Sequence, residues 1–520
     1  MTVLYDTVGA EHTLYGARLR ILVVPKGFQY DEYYINLSLW ARLIGRWRGN
    51  PMQKRNSRKF FRIRLEEMIQ TLRHEIRSGS IAIGSYLPSE SDLEVRFGLS
   101  NASVRNGLKV LVDEGLIEKI PRVGNRVIPP VEEGRTTIKF GYVNTIPKLV
   151  EMQELLNEFG KRYPHIDVQP LELSSGNYST SLKEYLQSEI MDVVLMNNNN
   201  YQDFLEQGCT ELLEPMEEQP DTYRFLSDPF RYGDHNRVRP FIYSPVVLCY
   251  NKQHFKEAGV SPPDSSWTWD DLFANGRKVA EGHDWYGFYF YLPSRNRWPL
   301  FLLQSGTTFA AEQDDEGKYR FSGSKLLDSL GTIRKLIGMK DVFPAVLSES
   351  DADAEALFLQ GKVSMIMTTY YFLNQLRQSD LAFDIAPLPR LQNADTLLII
   401  NGLAVNSKSQ NKDASMLLVD FLTSHEAQLI IRRKTLNIAA NRLVMDWEGE
   451  EVGYRPARFQ LYREIFPTYR LVTELGLSNL QLKEIQRDIM MFVSGLLDND
   501  ELCRRLEEIL NTVNQETQHS

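Results

Sequence analysis

Cysteine is scarce in this 520-residue chain: Cys209, Cys249 and Cys503 are the only three, widely spaced and odd in number. They supply neither a disulfide framework nor a zinc cluster, and they fit a reducing compartment. Long apolar runs are missing too. No uncharged stretch approaches the ~18–20 residues that a membrane helix needs, so the sequence predicts no spanning segment and no membrane partner. Catalytic signatures are also lacking. There is no Gly-x-Ser-x-Gly elbow, no His-Glu-x-x-His helix and no P-loop Gly-Lys-Ser/Thr, each of which has a mechanical reason for its spacing. A chain without them reads as a non-enzyme with no cofactor and no metal.

What is present is an ordinary globular composition, 42% hydrophobic and 24% charged. That excludes wholesale disorder and a fibrous protein. At ~100–200 residues per domain, the length predicts about three or four domain-sized units. The net charge of −9 conceals an asymmetry. Met52 to Ile128 holds 14 basic and 9 acidic residues, Met1 to Pro51 holds 6 and 4, and Pro129 to Ser520 holds 39 and 55. A small basic head is drawn to phosphate, whereas a large acidic body repels it.

Residues 1–51 show no sustained helical or strand period and lack the parts of a secretory signal. Met52 opens a basic run of Lys54, Arg55, Arg58 and Lys59. The expectation is a cytoplasmic protein whose native start is Met52, with 1–51 an N-terminal extension.

The head, 52–130, carries a compact pattern. Leu65, Met68, Ile69, Leu72 and Ile76 recur at helical spacing until Ser78-Gly79. Ser89 is a good N-cap with Asp92 three residues on, and Gly98 ends that second helix. Ser100 caps a third, with Val104, Leu108, Leu111 and Val112 on its inner face and Asn101 and Arg105 on its outer face. A short hairpin follows, turning at Pro121 to Asn125. Three helices and a hairpin in about seventy residues make a winged helix-turn-helix plan. The third helix offers free backbone N–H groups to a phosphate at its N-terminus. Arg105 can reach a guanine edge. Ser89, Ser100, Asn101, Ser103 and Arg105 are the candidate helix contacts to a double-stranded operator. At the wing tip, Arg122, Gly124 and Asn125 are the candidate groove contacts.

The stretches Gly84-Ser85-Tyr86-Leu87-Pro88-Ser89-Glu90 and Phe97-Gly98-Leu99-Ser100-Asn101-Ala102-Ser103-Val104-Arg105, with Glu114-Gly115-Leu116-Ile117 and Gly124, resemble the GntR-type DNA-binding domain. Two positions depart from that pattern. Ser91 and Asn101 stand where the family usually has arginine, which implies an operator other than the family's common one.

Residues 131–137 read as a linker, and the body spans 138–520. Ile138 to Val143, Ile166 to Leu171 and Met191 to Met196 are strand patterns separated by helical ones, an α/β parallel-sheet signature. Ligands of such sheets sit at the C-terminal strand ends, where Asn144 and Asn197 to Asn200 lie. Later motifs are similar to the extracytoplasmic solute-binding proteins of sugar transporters. They include Val247-Leu248-Cys249-Tyr250-Asn251-Lys252, Trp267-Thr268-Trp269-Asp270-Asp271-Leu272, Phe358 to Met365, Asn401-Gly402-Leu403-Ala404-Val405 and Phe421 to Gln428.

That resemblance implies two hinged α/β lobes, a periplasmic-binding-protein-like fold closing on a small-molecule effector of carbohydrate type. Tyr243, Trp285, Trp298, Tyr370 and Tyr371 are candidate stacking platforms, and Asn144, Asn197, Asn198 and Asn401 candidate hydroxyl partners. The combined expectation is a multidomain α/β homodimeric transcription regulator. The alternatives are a head fused to a pyridoxal-phosphate aminotransferase-like body, for which no lysine context stands out, and a carbohydrate transport receptor. Leu480, Ile485, Ile489, Phe492, Leu496, Leu502, Leu506 and Ile509 predict an amphipathic C-terminal helix packed on a lobe.

Overall fold

The computed structural model describes residues 64–65, 68–73, 75–76, 81–121, 123–128, 135–174, 177–344, 348–445 and 455–519. The N-terminal extension and most of the linker lie outside them. The chain divides into two compact units, Met1–Glu132 and Glu133–Ser520.

In the small unit, helical residues 68–73 bury Met68, Ile69 and Leu72. Helix α1 (Glu90–Phe97) starts on a capping box. The Ser89 hydroxyl accepts from Asp92 N at 3.2 Å and the Asp92 carboxylate accepts from Ser89 N at 3.2 Å. It stops at Gly98, whose φ of 61° is left-handed and costs glycine little. The tight turn that follows sends α2 (Asn101–Asp113) across α1, and Leu93, Leu99, Val104, Leu108 and Leu111 close the core between them. Strands β1 (Ile117–Ile120) and β2 (Gly124–Val127) pair antiparallel, Ile117 opposite Val127 and Ile120 opposite Gly124. Ile117 and Val127 anchor this hairpin to the helices. The unit is a winged helix-turn-helix.

The large unit opens with β3 (Thr136–Val143), α3 (Met152–Arg162), β4 (Ile166–Leu173), α4 (Tyr178–Gln187), β5 (Val193–Asn197) and α5 (Asn198–Glu206). β3 lies parallel between β4 and β5. The fully buried strand β6 (Arg239–Asn251) follows. Next come α6 (Trp269–Ala280), β7 (Tyr286–Tyr289), α7 (Lys325–Gly338), α8 (Asp351–Leu359), β8 (Val363–Thr369), α9 (Tyr370–Leu376), β9 (Phe383–Ala386) and β10 (Thr396–Val405).

Two long strands join two lobes. β10 pairs with β5 from Asn401 opposite Asn197 to Val405 opposite Val193, and with the first half of β6. The second half of β6, Val246–Tyr250, pairs with β8, and β8 runs parallel to β7. One sheet therefore changes lobe midway along β6. The β6–β10 register slips between Asn401 and Gly402, a bulge of the sort that bends a strand. A Cβ at Gly402 would stand 2.8 Å from Arg239 O, so only glycine fits there.

Ile138, Phe140, Phe159, Leu403 and Phe421 fill one core of the first lobe. The larger core runs without a break from Leu182 and Met196 through Val247 into Phe288, Leu330 and Met365. The C-terminal helices α10 (Asn479–Val493) and α11 (Asn499–His519) pack on each other, and α10 packs on α7; together they add Ile485, Phe492, Leu502 and Leu506 to that core. Leu480 and Leu496, both apolar in the helical pattern, are 57% and 72% exposed instead. Leu480 is the second residue of α10 and turns outward there, whereas Leu496 lies in the turn after α10 ends at Val493.

Candidate functional site

Asn101, Arg105 and Lys109 stand four residues apart on the outward side of α2, which places them in one stripe. Arg105 and Lys109 are exposed. Lys109 escaped the sequence reading, although its i+4 spacing from Arg105 was visible. Arg105 Nε donates to Glu90 Oε2 at 2.7 Å, and Asn101 Nδ2 donates to Glu94 Oε1 at 2.5 Å.

Other head residues sit differently from the expectation. Ser89 is committed to its capping box. Ser100 makes no side-chain cap; its Oγ lies 2.7 Å from Ser103 Oγ. Ser103 is 5% exposed because it falls on the inner face of α2. Asn125 is 7% exposed, and its carbonyl accepts from Leu87 N at 2.9 Å, so it braces the wing. Gly124 begins β2 at the wing's edge with φ 148°, backbone that favours glycine. Arg122 lies outside the described residues.

In the large unit, the ends of β3 and β5 and the bulge of β10 converge. Asn144 follows β3 and is exposed. Asn197 caps α5 in a reciprocal box with Asn200, at 2.9 and 3.1 Å. Asn198 Oδ1 accepts from Ile400 N at 2.9 Å. Asn401 Nδ2 donates to the Tyr371 hydroxyl at 2.9 Å, and that hydroxyl donates to Ile399 O at 3.2 Å. Burial holds the Tyr371 phenol far above its usual range. Asn197, Asn198, Asn401 and Tyr371 thus lie around the end of β5 and the bulge of β10, but in separate hydrogen bonds rather than in one network.

The remaining aromatic candidates lie elsewhere. Tyr243, Tyr370 and Trp298 are fully buried. Tyr243 donates to Met445 Sδ at 3.4 Å, and Tyr370 to Phe459 O at 3.0 Å. They are core because each sits on or beside an inner strand or helix face. Trp285 precedes β7, at the end of the second-lobe sheet opposite α9. It is sandwiched between His254 and His283, with ring centroids 3.8 and 4.0 Å away. Burial lowers the His254 pKa to about 4.

The structure adds residues that sequence reasoning missed. Asn199 Nδ2 donates to Asn296 Oδ1 at 3.0 Å. Asn479, the first residue of α10, donates from Nδ2 to Asn199 O at 2.9 Å and to Asp203 Oδ1 at 2.7 Å. Its backbone N donates to Glu206 Oε1 at 2.8 Å. Beside Asn296, Arg297 is 3% exposed and donates to Met367 O at 3.1 Å. Its guanidinium lies 3.7 Å from Asp351 and 4.0 Å from Glu355. Glu355 accepts from Thr368 Oγ1 at 2.8 Å. Burial raises its pKa to about 7, against the pull of Arg297 and of the Thr368 hydroxyl.

Amides of the two lobes therefore meet in a seam at Asn199 and Asn296, with the second-lobe cluster of Arg297, Asp351 and Glu355 next to them in the chain fold. Such groups match hydroxyls, which donate and accept. Among the described residues, no group of three or more His, Cys, Asp or Glu side chains could hold a metal. No helix among them is long and apolar enough to cross a membrane.

Comparison with known proteins agrees with this division. Residues 65–127 match the bacterial regulatory proteins of the gntR family, and residues 145–429 match the bacterial extracellular solute-binding proteins. A binding protein of Brucella abortus (strain 2308) is 25% identical over 239 residues, covering 42% of this chain and 55% of the relative. The chain spans about half the length of the curated relatives of this kind that it matches. The HTH-type transcriptional regulator YieP of Escherichia coli K12 is 36% identical over 62 residues, covering 12% of this chain and 27% of YieP.

Among solved structures, a solute-binding protein of Thermotoga lettingae bound to α-D-tagatose aligns with TM-score 0.62 at 19% identity, over 72% of this chain and all of that one. The Listeria monocytogenes substrate-binding protein Lmo0181 in complex with cycloalternan aligns with TM-score 0.61 at 19% identity, over 73% of this chain and all of that one. These likenesses establish a shared two-lobed fold. The chain joins a GntR-family DNA-binding unit to a body that makes it a member of the bacterial extracellular solute-binding protein family.

Proposed function

We propose that this chain is a cytoplasmic transcription regulator whose solute-binding body senses a small polyhydroxylated molecule, a sugar or oligosaccharide, and binds it without transforming it. One observation carries this reading: the Asn199 and Asn296 amides meet across the two lobes, with Asn479 bonded to Asn199 on one side and the Asp351 and Glu355 carboxylates beside Arg297 on the other. The sugars named for the Thermotoga and Listeria proteins support the ligand class. The DNA-binding head supports a site of action where DNA is. Two chains pair and set their α2 helices in half-sites about one DNA turn apart. The effector draws the lobes together along β6 and β10, and the operator affinity changes by a coupling of ~1–3 kcal/mol.

A thermal-shift screen of the full chain against neutral mono- and oligosaccharides tests the sensing step. A ligand at about 100 times its Kd adds ~2.7 kcal/mol of stability, which gives a saturable rise in Tm. No rise with any sugar would overturn the ligand class.

A further inference from the structure

The cations of the DNA-facing surface are held by carboxylates of the same unit. Glu90 is the first residue of α1, yet the cap there is made by Ser89 and Asp92, which leaves the Glu90 carboxylate for other partners. Its Oε2 accepts from Arg105 Nε at 2.7 Å and lies 3.5 Å from Asn101 Nδ2. Its Oε1 is 3.9 Å from Lys119 Nζ on the wing. One carboxylate therefore ties the recognition helix to the wing. Glu94, one turn on, takes the Asn101 amide.

These are surface contacts. Arg105 and Lys119 side chains are 61% and 64% exposed, and exposed pairs add little to stability, so the fold does not require them. Their chemistry is directional, however. Among the described residues only Nε of Arg105 is engaged, and both terminal nitrogens make no hydrogen bond to them. Those are the two donors that grip O6 and N7 of guanine. A carboxylate can only accept, so the Asn101 group facing Glu94 is the NH2. Its Oδ1 is left as an acceptor for the exocyclic amine of adenine or cytosine.

We propose that Glu90, seconded by Glu94, is a specificity-determining positioning residue. It restrains Arg105, Asn101 and Lys119 so that phosphates of unrelated DNA capture them weakly, while base-reading atoms stay presented. A phosphate must pull each cation from a carboxylate and then lie beside that negative charge. A matching base edge uses the atoms that Glu90 leaves open.

The test uses the full chain and labelled duplexes of about 30 bp, one a random-sequence pool and one selected from that pool by the unmutated protein, with binding read across a KCl series. For E90Q, the pool should bind about tenfold tighter near 100 mM KCl, with a log–log salt slope steeper by about one to two. The ratio of selected to pool affinity should fall about fivefold or more. In an R105A background the tightening by E90Q should shrink to under about threefold, because the restrained side chain is gone. E94Q gives a second, smaller tightening through Asn101 and serves if E90Q does not fold. Unchanged or weaker pool binding by both variants would overturn the proposal. So would an undiminished effect of E90Q without Arg105, which would make Glu90 a bare repulsive charge.

Discussion

Replacing Glu355 with glutamine isolates one buried carboxyl of the interlobe seam. Burial raises its pKa from 4.5 to about 7, and its side chain is 13% exposed. Between those values the folded chain keeps a proton that the unfolded chain has released. Stability must therefore fall as pH rises from about 4.5, and the loss is complete above about 7. At ~1.4 kcal/mol for each pH unit between the two values, the loss totals ~3 kcal/mol. The glutamine of E355Q keeps an acceptor for Thr368 and has no charge to bury. The two proteins should be nearly equal at about pH 5, and E355Q should be more stable by up to ~3 kcal/mol at about pH 8. Guanidinium melts followed by tryptophan fluorescence across this range give the difference directly. Two stability curves that run parallel from pH 5 to 8 would refute the placement of a neutral carboxyl beside Arg297.

Three further perturbations follow from the geometry. Arg105→Ala removes the proposed base-reading fork and should weaken binding to the selected operator about tenfold and relax specificity at one base pair, with binding to the random pool changed less, read by fluorescence anisotropy. Asn479→Ala removes two hydrogen bonds across the seam, one of them to the Asp203 carboxylate. It should cost ~2 kcal/mol in denaturant melts and reduce the Tm rise produced by a bound sugar. Gly287→Ala presses a Cβ onto the Gly276 backbone where β7 crosses α6, and should cost ~3 kcal/mol or abolish soluble expression, checked by yield and melting.

The winged helix was legible because its boundaries are written locally. Ser89 with Asp92, Gly98 and the Leu93–Val104–Leu108 pattern each act within a few residues. The α/β body was legible for the same reason, through apolar strands alternating with amphipathic helices. Site residues were harder. Asn197 looked like a strand-end amide and is one, but half of its chemistry goes to capping α5. Tyr243, Tyr370 and Trp298 have the composition of stacking platforms, and hydrophobicity alone does not separate a cleft wall from a core. Ser103 sits within a DNA-binding motif yet falls on the helix face that packs. The seam partners Asn199 and Asn479 are 280 residues apart in the chain, and no local period or cap connects them. Only the fold of both lobes and the return of α10 brings them together.

The most direct test of the account is operator affinity with and without a bound effector. The operator is the duplex selected by the full chain from a random pool, and the effector is the sugar that raises its Tm. The account predicts an affinity change of about 5- to 150-fold in either direction, saturating at the same sugar concentration as the Tm rise. An operator affinity that stays constant while the sugar saturates the body would contradict it.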